Sequence, residues 1–333
     1  MKIAIFEAEQ EYVSTYESSF PDHDLVCFNE PLREHNLELA RDAEMLSVFV
    51  GSILSAEVVA ALPKLRFIAT RSTGYNHIDL DACSKNGVKV LNVPSYGEKT
   101  VAEHTFALLL AVSRNIHRSY LRVQSGNFAV KDLVGFELAD KTIGIIGTGS
   151  IGINVIKIAK GFDMRVLAYS RTKKPELEKL YAVEYCQNIE ELLARSDVIS
   201  LHVPYTKDTH HLIGSHNSRF IKKGAVIINT SRGELIDTDE LYQLLKNQVI
   251  SGAGLDVIEG EEHISEDFEL ISSNKNPELI RQIYRDREIF KMDNVVYTPH
   301  SGFNSKEALD RLIKNSISNM KFVIAGNLSN LVN

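Results

Sequence analysis

Residues 142–152 read TIGIIGTGSIG, and this stretch decides the fold. An apolar run from Thr142 to Ile146 enters a turn with glycines at Gly147, Gly149 and Gly152, and a helical pattern follows. Glycines at this spacing, between a strand and a helix, mark the dinucleotide-binding turn of a βαβ unit. The first permits the tight turn, the second lets a pyrophosphate approach the backbone, and the third lets helix pack closely on strand. The helix start, at Ser150 and Ile151, then offers N–H groups and a positive dipole end to the phosphates. The glycine spacing also occurs in surface turns, so the flanking strand and helix carry the inference.

Outward from this turn, short and almost continuously apolar runs recur at residues 143–146, 166–169, 198–203, 225–229, 253–257 and 295–298, alternating with helical patterns. An earlier series lies at 3–6, 45–50, 65–70 and 88–93. Strands of this kind belong to parallel sheets covered on both faces. The fold class is therefore α/β, with two doubly wound parallel-sheet domains: a flavodoxin-like domain from residues 1–99 plus 300–333, and a Rossmann domain from 100–299. In the first series Phe6 runs into Glu7, Ala8 and Glu9, a poor place for a pyrophosphate, so dinucleotide binding is expected of the second sheet alone. Residues 101–123, preceded by Glu98, Lys99 and Thr100, read as one connecting helix, and 306–325 as an amphipathic helix that returns to the first domain. The polar stretch 262–293 reads as an insertion with some helix.

The chain has 333 residues, of which 44% are hydrophobic and 24% charged, with a net charge of −7. That balance is ordinary for a globular protein and gives no electrostatic footprint for nucleic acid or an anionic membrane. An anionic substrate needs locally placed arginines. Cys27, Cys83 and Cys186 form no CxxC pair, which argues against a disulfide framework or a zinc site. The N-terminus lacks the long apolar core of a secretory signal, and no apolar run approaches the roughly 20 residues of a membrane span. A cytoplasmic protein is expected.

Ligands of open α/β sheets bind beyond the carboxyl ends of the strands, so those segments carry the chemistry. After the second strand of the Rossmann series stands Ser170-Arg171-Thr172-Lys173, where an acidic residue would grip the ribose 2′-hydroxyl of NAD. Ser170 removes that carboxylate, and Arg171 and Lys173 suit a 2′-phosphate, so the expected cofactor is NAD(P)(H) with NADPH accepted. The same residues also suit a solvated loop. Next come His202-Val203-Pro204, then Asn229-Thr230-Ser231-Arg232-Gly233-Glu234, then residues 254–261 ending in Glu259-Gly260-Glu261, and last Thr298-Pro299-His300-Ser301-Gly302-Phe303.

This succession resembles the D-2-hydroxyacid dehydrogenase family, from Met1 to about Gly326. The EGE ending, the Val93-Pro94-Ser95-Tyr96 segment and Phe303 look most like D-lactate dehydrogenases. The resemblance implies reduction of a small 2-oxoacid to the D-2-hydroxyacid, pyruvate to D-lactate first among the candidates. Chemical need agrees. A planar guanidinium binds a carboxylate bidentately, which suits Arg232 as anchor and carbonyl polariser. An imidazole can give and take a proton near physiological pH, which suits His300 as the general acid. Glu261, with Glu259 as its competitor, would favour the imidazolium and orient it. The resemblance further places Asp256 at the nicotinamide ribose and sets His202, Val203, Pro204, Thr209, Thr230, Ser231 and Arg232 along the cofactor. For the substrate it implies backbone N–H groups near Thr73 and Gly74, with Tyr96 and Phe303 as bordering aromatics. His202 and Thr209 also suit structural capping, and Tyr96 and Phe303 plain aromatic packing. His77, His104, His210 and His211 have no comparable support.

One departure stands out: Gly51-Ser52 occupies the loop where lactate-type members often have a tyrosine, which loosens pyruvate specificity. Histidine and arginine cover proton transfer and charge stabilisation, so no metal is needed. The family also implies domain closure over the substrate and a homodimer to which the helix from Val101 contributes. Glyoxylate or hydroxypyruvate reduction is the alternative within the family. Outside enzymes, the alternative is a dinucleotide-sensing binding protein like the family's corepressors.

Overall fold

Successive side chains of a strand point to opposite faces, so an apolar run such as Ile3-Ala4-Ile5-Phe6 demands cover on both. The computed structural model, which describes residues 1–261, 277–327 and 330–333, provides it. The chain forms two compact units, Met1–Gly97 with Asn304–Asn333, and Glu98–Phe303.

In the first unit β1 (Lys2–Ile5), β2 (Asp24–Cys27), β3 (Met45–Val48), β4 (Phe67–Thr70) and β5 (Lys89–Leu91) form a parallel sheet in the order β2-β1-β3-β4-β5. Ala4, Leu46, Val48, Ile68 and Val90 pack on one face with Val58, Val59 and Cys83 from the helices Ala56–Ala60 and Leu80–Lys85. Ile3, Ile5, Met45, Ala69 and Leu91 pack on the other with Tyr16 of the helix Gln10–Ser19 and Ile313, Ile317 and Met320 of the helix Lys306–Ile324. The strand order reverses between β1 and β3, which makes the crevice at their carboxyl ends the favoured ligand position of this sheet.

In the second unit β6 (Thr142–Ile146), β7 (Arg165–Tyr169), β8 (Glu184–Tyr185), β9 (Val198–Leu201), β10 (Ala225–Asn229), β11 (Ile250–Leu255) and β12 (Val295–Tyr297) form a parallel sheet in the order β12-β11-β10-β9-β6-β7-β8. The reversal here lies between β6 and β9. The fold class is thus the expected one. The edge strands β2 and β8 were not anticipated: the first opens on Asp24 and is at most half-buried, and the second has two residues.

The expected single helix over 101–123 is corrected. It is two helices, Glu98–Ser113 and Ile116–Gln124, with Asn115 between them in the left-handed region at φ 51°. The cause lies in the chain that passes the first helix end. Phe136 N–H donates to the Ser113 carbonyl at 2.9 Å, Asn115 Nδ2 to Val134 O at 3.2 Å, and a Cβ on Gly135 would collide with Ser113 O. Among the described residues no helix is long and apolar enough to cross a membrane, and Cys27, Cys83 and Cys186 are free thiols.

The part of the expected insertion at residues 262–276 lies outside the described residues; beyond it runs the helix Pro277–Phe290. This helix buries Asp286, whose two carboxylate oxygens have no hydrogen-bond partner among the described residues. Burial pushes its pKa up from 3.8 to about 7, Arg285 opposing the shift and Glu259 adding to it. Between those values the native protein keeps a proton that the unfolded chain has released, so stability falls as pH rises from about 4 to about 7 and the whole penalty applies above. Asp286→Asn should therefore raise the thermal midpoint at pH 8, by several degrees, and leave it nearly unchanged at pH 4. Equal midpoint shifts at both pH values in scanning calorimetry would contradict this.

Candidate active site

Gly147 follows β6 at φ +99°, a conformation open to glycine, and a Cβ there would run into the His202 carbonyl and Val203. A Cβ on Gly152 would strike Gly147 O, so the third glycine does bring helix onto turn. Gly149 differs: a Cβ there would meet no protein atom within 4 Å, and as N-cap of the helix Ser150–Gly161 it supplies no side-chain acceptor to the first-turn N–H groups. An uncapped helix N-terminus that the backbone leaves approachable fits a pyrophosphate. The residues present thus fit a dinucleotide.

Beyond β7, Ser170 is half-buried while Arg171 and Lys173 are exposed. Tyr185, which the sequence did not single out, ties this loop to the glycine turn. Its hydroxyl accepts the Lys174 N–H at 3.0 Å and reaches Thr148 Oγ1 at 3.4 Å, with Lys173 Nζ over its ring at 5.8 Å. Beyond β9, His202 is buried, shares a 2.8 Å hydrogen bond with Ser200 Oγ, and is held neutral by burial, which lowers its pKa to about 3. Thr209 closes the following loop, accepting from Thr206 N at 2.7 Å and donating to Pro204 O at 2.8 Å. Beyond β10, Ser231 Oγ donates to Leu201 O at 2.7 Å and the Thr230 and Thr105 hydroxyls meet at 3.0 Å. These side chains fix their loops.

Arg232, Glu261 and His300 follow β10, β11 and β12, three neighbouring strands. His300 Nδ1 lies 2.6 Å from Glu261 Oε1, which leaves Nε2 as the ring nitrogen for proton exchange. His300 occupies φ 49°, an unfavourable value for a residue with a Cβ, and a dense set of bonds to Asp256 maintains it. The Asp256 carbonyl accepts from His300 N at 2.8 Å, and its carboxylate accepts from Thr298 Oγ1 at 2.5 Å, Ser301 N at 2.9 Å and Gly302 N at 2.8 Å. His104 Nε2 stands 3.3 Å from the same carboxylate. Burial alone would raise the Asp256 pKa, but the bonds from His104, Thr298 and Gly302 outweigh it and hold the group below the usual carboxylate range. Asp256, expected at a cofactor ribose, is 2% exposed and engaged inside the turn.

The two glutamates of the EGE ending part company. Glu259 bonds His211 Nε2 at 2.9 Å and Thr238 Oγ1 at 3.3 Å, while Glu261 takes His300. His210 stacks on His211 with centroids 3.8 Å apart and planes 22° off parallel, and ring nitrogens of the two histidines and a Glu259 carboxylate oxygen lie within 4.8 Å of one another. A Cβ on Gly233 would enter the Ile258–Glu259 peptide, which locks the Arg232 and Glu261 segments together. Arg232 Nη1 donates to Ser231 O at 2.6 Å, and the rest of its fork has no acceptor among the described residues.

In the first unit the Thr73-Gly74 turn is braced internally: Thr73 Oγ1 donates to Val93 O at 2.9 Å, Asn92 Nδ2 to Thr73 O at 2.8 Å, and Ser72 Oγ to Gly74 O at 2.6 Å. Tyr96 is buried and its carbonyl accepts from Arg311 Nε at 2.7 Å, while Phe303, in the second unit, is half-buried.

Glycine turn, strand order and the histidine–carboxylate pair define a dinucleotide-dependent oxidoreductase of the doubly wound class. Residues 106–302 match the D-isomer specific 2-hydroxyacid dehydrogenase, NAD binding domain, and the chain belongs to that family of NAD-dependent enzymes. It is 36% identical over 326 residues to the D-lactate dehydrogenase of Escherichia coli, covering 96% of each chain. Identity to the glyoxylate reductase of Thermococcus litoralis is 39% over 311 residues, 90% of this chain and 87% of the relative. Among solved structures, D-lactate dehydrogenase from Aquifex aeolicus complexed with NAD and lactic acid superposes with a TM-score of 0.87 at 35% identity over 99% of both chains.

Proposed function

We propose that this 2-hydroxyacid dehydrogenase reduces pyruvate to D-lactate, with His300 as proton donor, Glu261 as the carboxylate that holds it, and Arg232 as anchor of the substrate carboxylate. The 2.6 Å contact between His300 Nδ1 and Glu261 carries this reading, because it commits the imidazole to one orientation with Nε2 outward. Bound at the Gly147–Gly152 turn, the nicotinamide cofactor supplies the hydride. Arg232 offers a planar fork to the carboxylate and draws charge from the neighbouring carbonyl. We assign further substrate contacts to Thr73, Gly74, Tyr96 and Phe303. The buried unpaired thiols Cys83 and Cys186 suit the reducing cytoplasm.

Initial rates with pyruvate, glyoxylate and hydroxypyruvate test the reading. Fastest turnover of pyruvate supports it, and preference for glyoxylate moves the enzyme to the reductase branch, with which Gly51-Ser52 is compatible. Absence of turnover with every 2-oxoacid favours the sensing protein.

We propose that NADPH is accepted beside NADH. Ser170 brings no repelling carboxylate, and exposed Arg171 stands next to it. Ser170→Asp is expected to raise KM for NADPH roughly tenfold and to spare NADH. An unchanged NADPH KM in this variant would make the loop mere surface charge.

We also propose a homodimer through residues 116–134. No residue of the helix Ile116–Gln124 is buried, and Leu121, Phe128, Val130 and Val134 are all more than half exposed, an apolar patch that water disfavours. The double variant Leu121→Glu, Phe128→Glu should sediment as a monomer; an unaltered sedimentation coefficient would sink this assignment.

A further inference from the structure

At the carboxyl end of β1 the chain adopts a conformation that glycine usually takes. Glu7 sits at φ 53°, a cost for any residue with a Cβ that the surrounding structure must offset. Its carboxylate shows what is gained. Oε2 accepts from Phe49 N at 2.9 Å and from Ser52 Oγ at 2.6 Å, and Oε1 accepts from Gly51 N at 2.8 Å. Ser52 Oγ, fully buried, accepts in turn from Leu32 N at 2.9 Å.

Arg71 completes the clamp from the next strand. Buried to 3% exposure, it donates through Nη2 to the carbonyls of Phe6 at 2.6 Å and Glu7 at 2.9 Å, and through Nη1 to Ser47 Oγ at 2.9 Å. The segments that leave β1, β2, β3 and β4 are thereby tied together where the strand order reverses, the position at which such sheets take ligands. The clamp also explains the departure at Gly51. A Cβ there would come within 2.5 Å of Glu7 Oε1, so a larger residue would push this carboxylate out of its present position. Held this way, turn 49–52 leaves the flanking side chains Val50 and Ile53 outside the core, at 52% and 50% exposure.

We propose that Glu7 is a positioning residue for the 2-oxoacid: it fixes turn 49–52 so that Val50 and Ile53 present an apolar wall to the group on C3 of the substrate. This rests on the reading that the first unit takes the oxoacid. The substrate class it selects is a 2-oxoacid with an apolar tail. Pyruvate and 2-oxobutyrate should surpass hydroxypyruvate in kcat/KM by about tenfold, the discrimination an apolar wall of this size can give.

Glu7→Gln keeps the shape of the side chain but turns an amide N–H toward donors, so the turn loses at least one bond. With the full chain, KM for pyruvate is expected to rise roughly tenfold while kcat and KM for NADH stay within about twofold. Ile53→Ser, on a side chain outside the core, should bring hydroxypyruvate to within about twofold of pyruvate. A Glu7→Gln enzyme with wild-type KM for pyruvate overturns the proposal. So does a joint fall in kcat and rise in the KM of NADH and pyruvate together, the mark of a general structural role. If the wild-type enzyme turns over no 2-oxoacid, the functional reading fails first and takes the proposal with it. If it does and Glu7→Gln is kinetically silent, the positioning role alone is refuted.

Discussion

His300→Gln is expected to lower kcat for pyruvate reduction by between about a hundredfold and ten-thousandfold, the range that a positioned general acid contributes. Glutamine keeps a polar side chain but does not protonate near neutral pH, so the alkoxide formed as hydride arrives must find its proton from water. The turn should survive, because the bonds that hold it run from Asp256 to the backbone of residues 300, 301 and 302 and do not involve the imidazole. NADH affinity, followed by fluorescence titration, should accordingly stay within about twofold. Glu261→Gln should cost less, since that carboxylate acts through the histidine. A His300→Gln enzyme retaining more than about a tenth of wild-type kcat would remove His300 from the proton-transfer role.

Arg232→Leu is expected to reduce kcat/KM for pyruvate by roughly a hundredfold to several thousandfold, the loss that follows when one partner of a desolvated charge pair is removed. The loss should be divided, with KM raised because the carboxylate loses its bidentate partner and kcat lowered because the carbonyl loses a polarising charge. Arg232→Lys should recover part of the affinity, as a point charge without the fork. Since Gly233 packs on the Ile258–Glu259 peptide, the backbone beneath residue 232 is held independently of its side chain, and the thermal midpoint should change little. An unaltered KM in the leucine variant would place the carboxylate elsewhere.

Much of this was legible because the chemistry sits next to the strongest pattern in the sequence. Parallel strands buried on both faces write themselves as apolar runs, and polar segments stand directly after them; the resemblance those segments carry, together with chemical type, singles out Arg232, Glu261 and His300 as candidates. The apolar pattern does not separate Glu261 from Glu259 and the resemblance favours Glu261; the structure sets Glu261 against the His300 ring and Glu259 against His211. What escaped depends on segments far apart in the chain. The helix break at Asn115 comes from the approach of Gly135 and Phe136 and not from any local breaker. The supports under the site, His104 beneath Asp256 and His211 beneath Glu259, are histidines in helical or polar stretches with no signature of their own. Glu7 did leave a trace, as an acid at the end of an apolar strand, but its partners lie beyond β3 and β4, and only the sheet order brings them to it.

The helix that covers one face of the first sheet is made last. Tyr12 meets Asp310 across 298 residues of sequence, and Ile3, Ile5, Met45 and Leu91 share their core with Ile313, Ile317 and Met320. On the ribosome the strands from β1 to β5 emerge early, and then everything from Glu98 to Phe303 must be synthesised before that helix exists. At ordinary elongation rates this lasts on the order of ten to forty seconds, during which the interposed unit can complete its own sheet while that face of the first is covered only by the helix Gln10–Ser19. Slowing translation or limiting chaperone supply is therefore expected to lower the folded yield, by prolonging the time that face lacks its last helix.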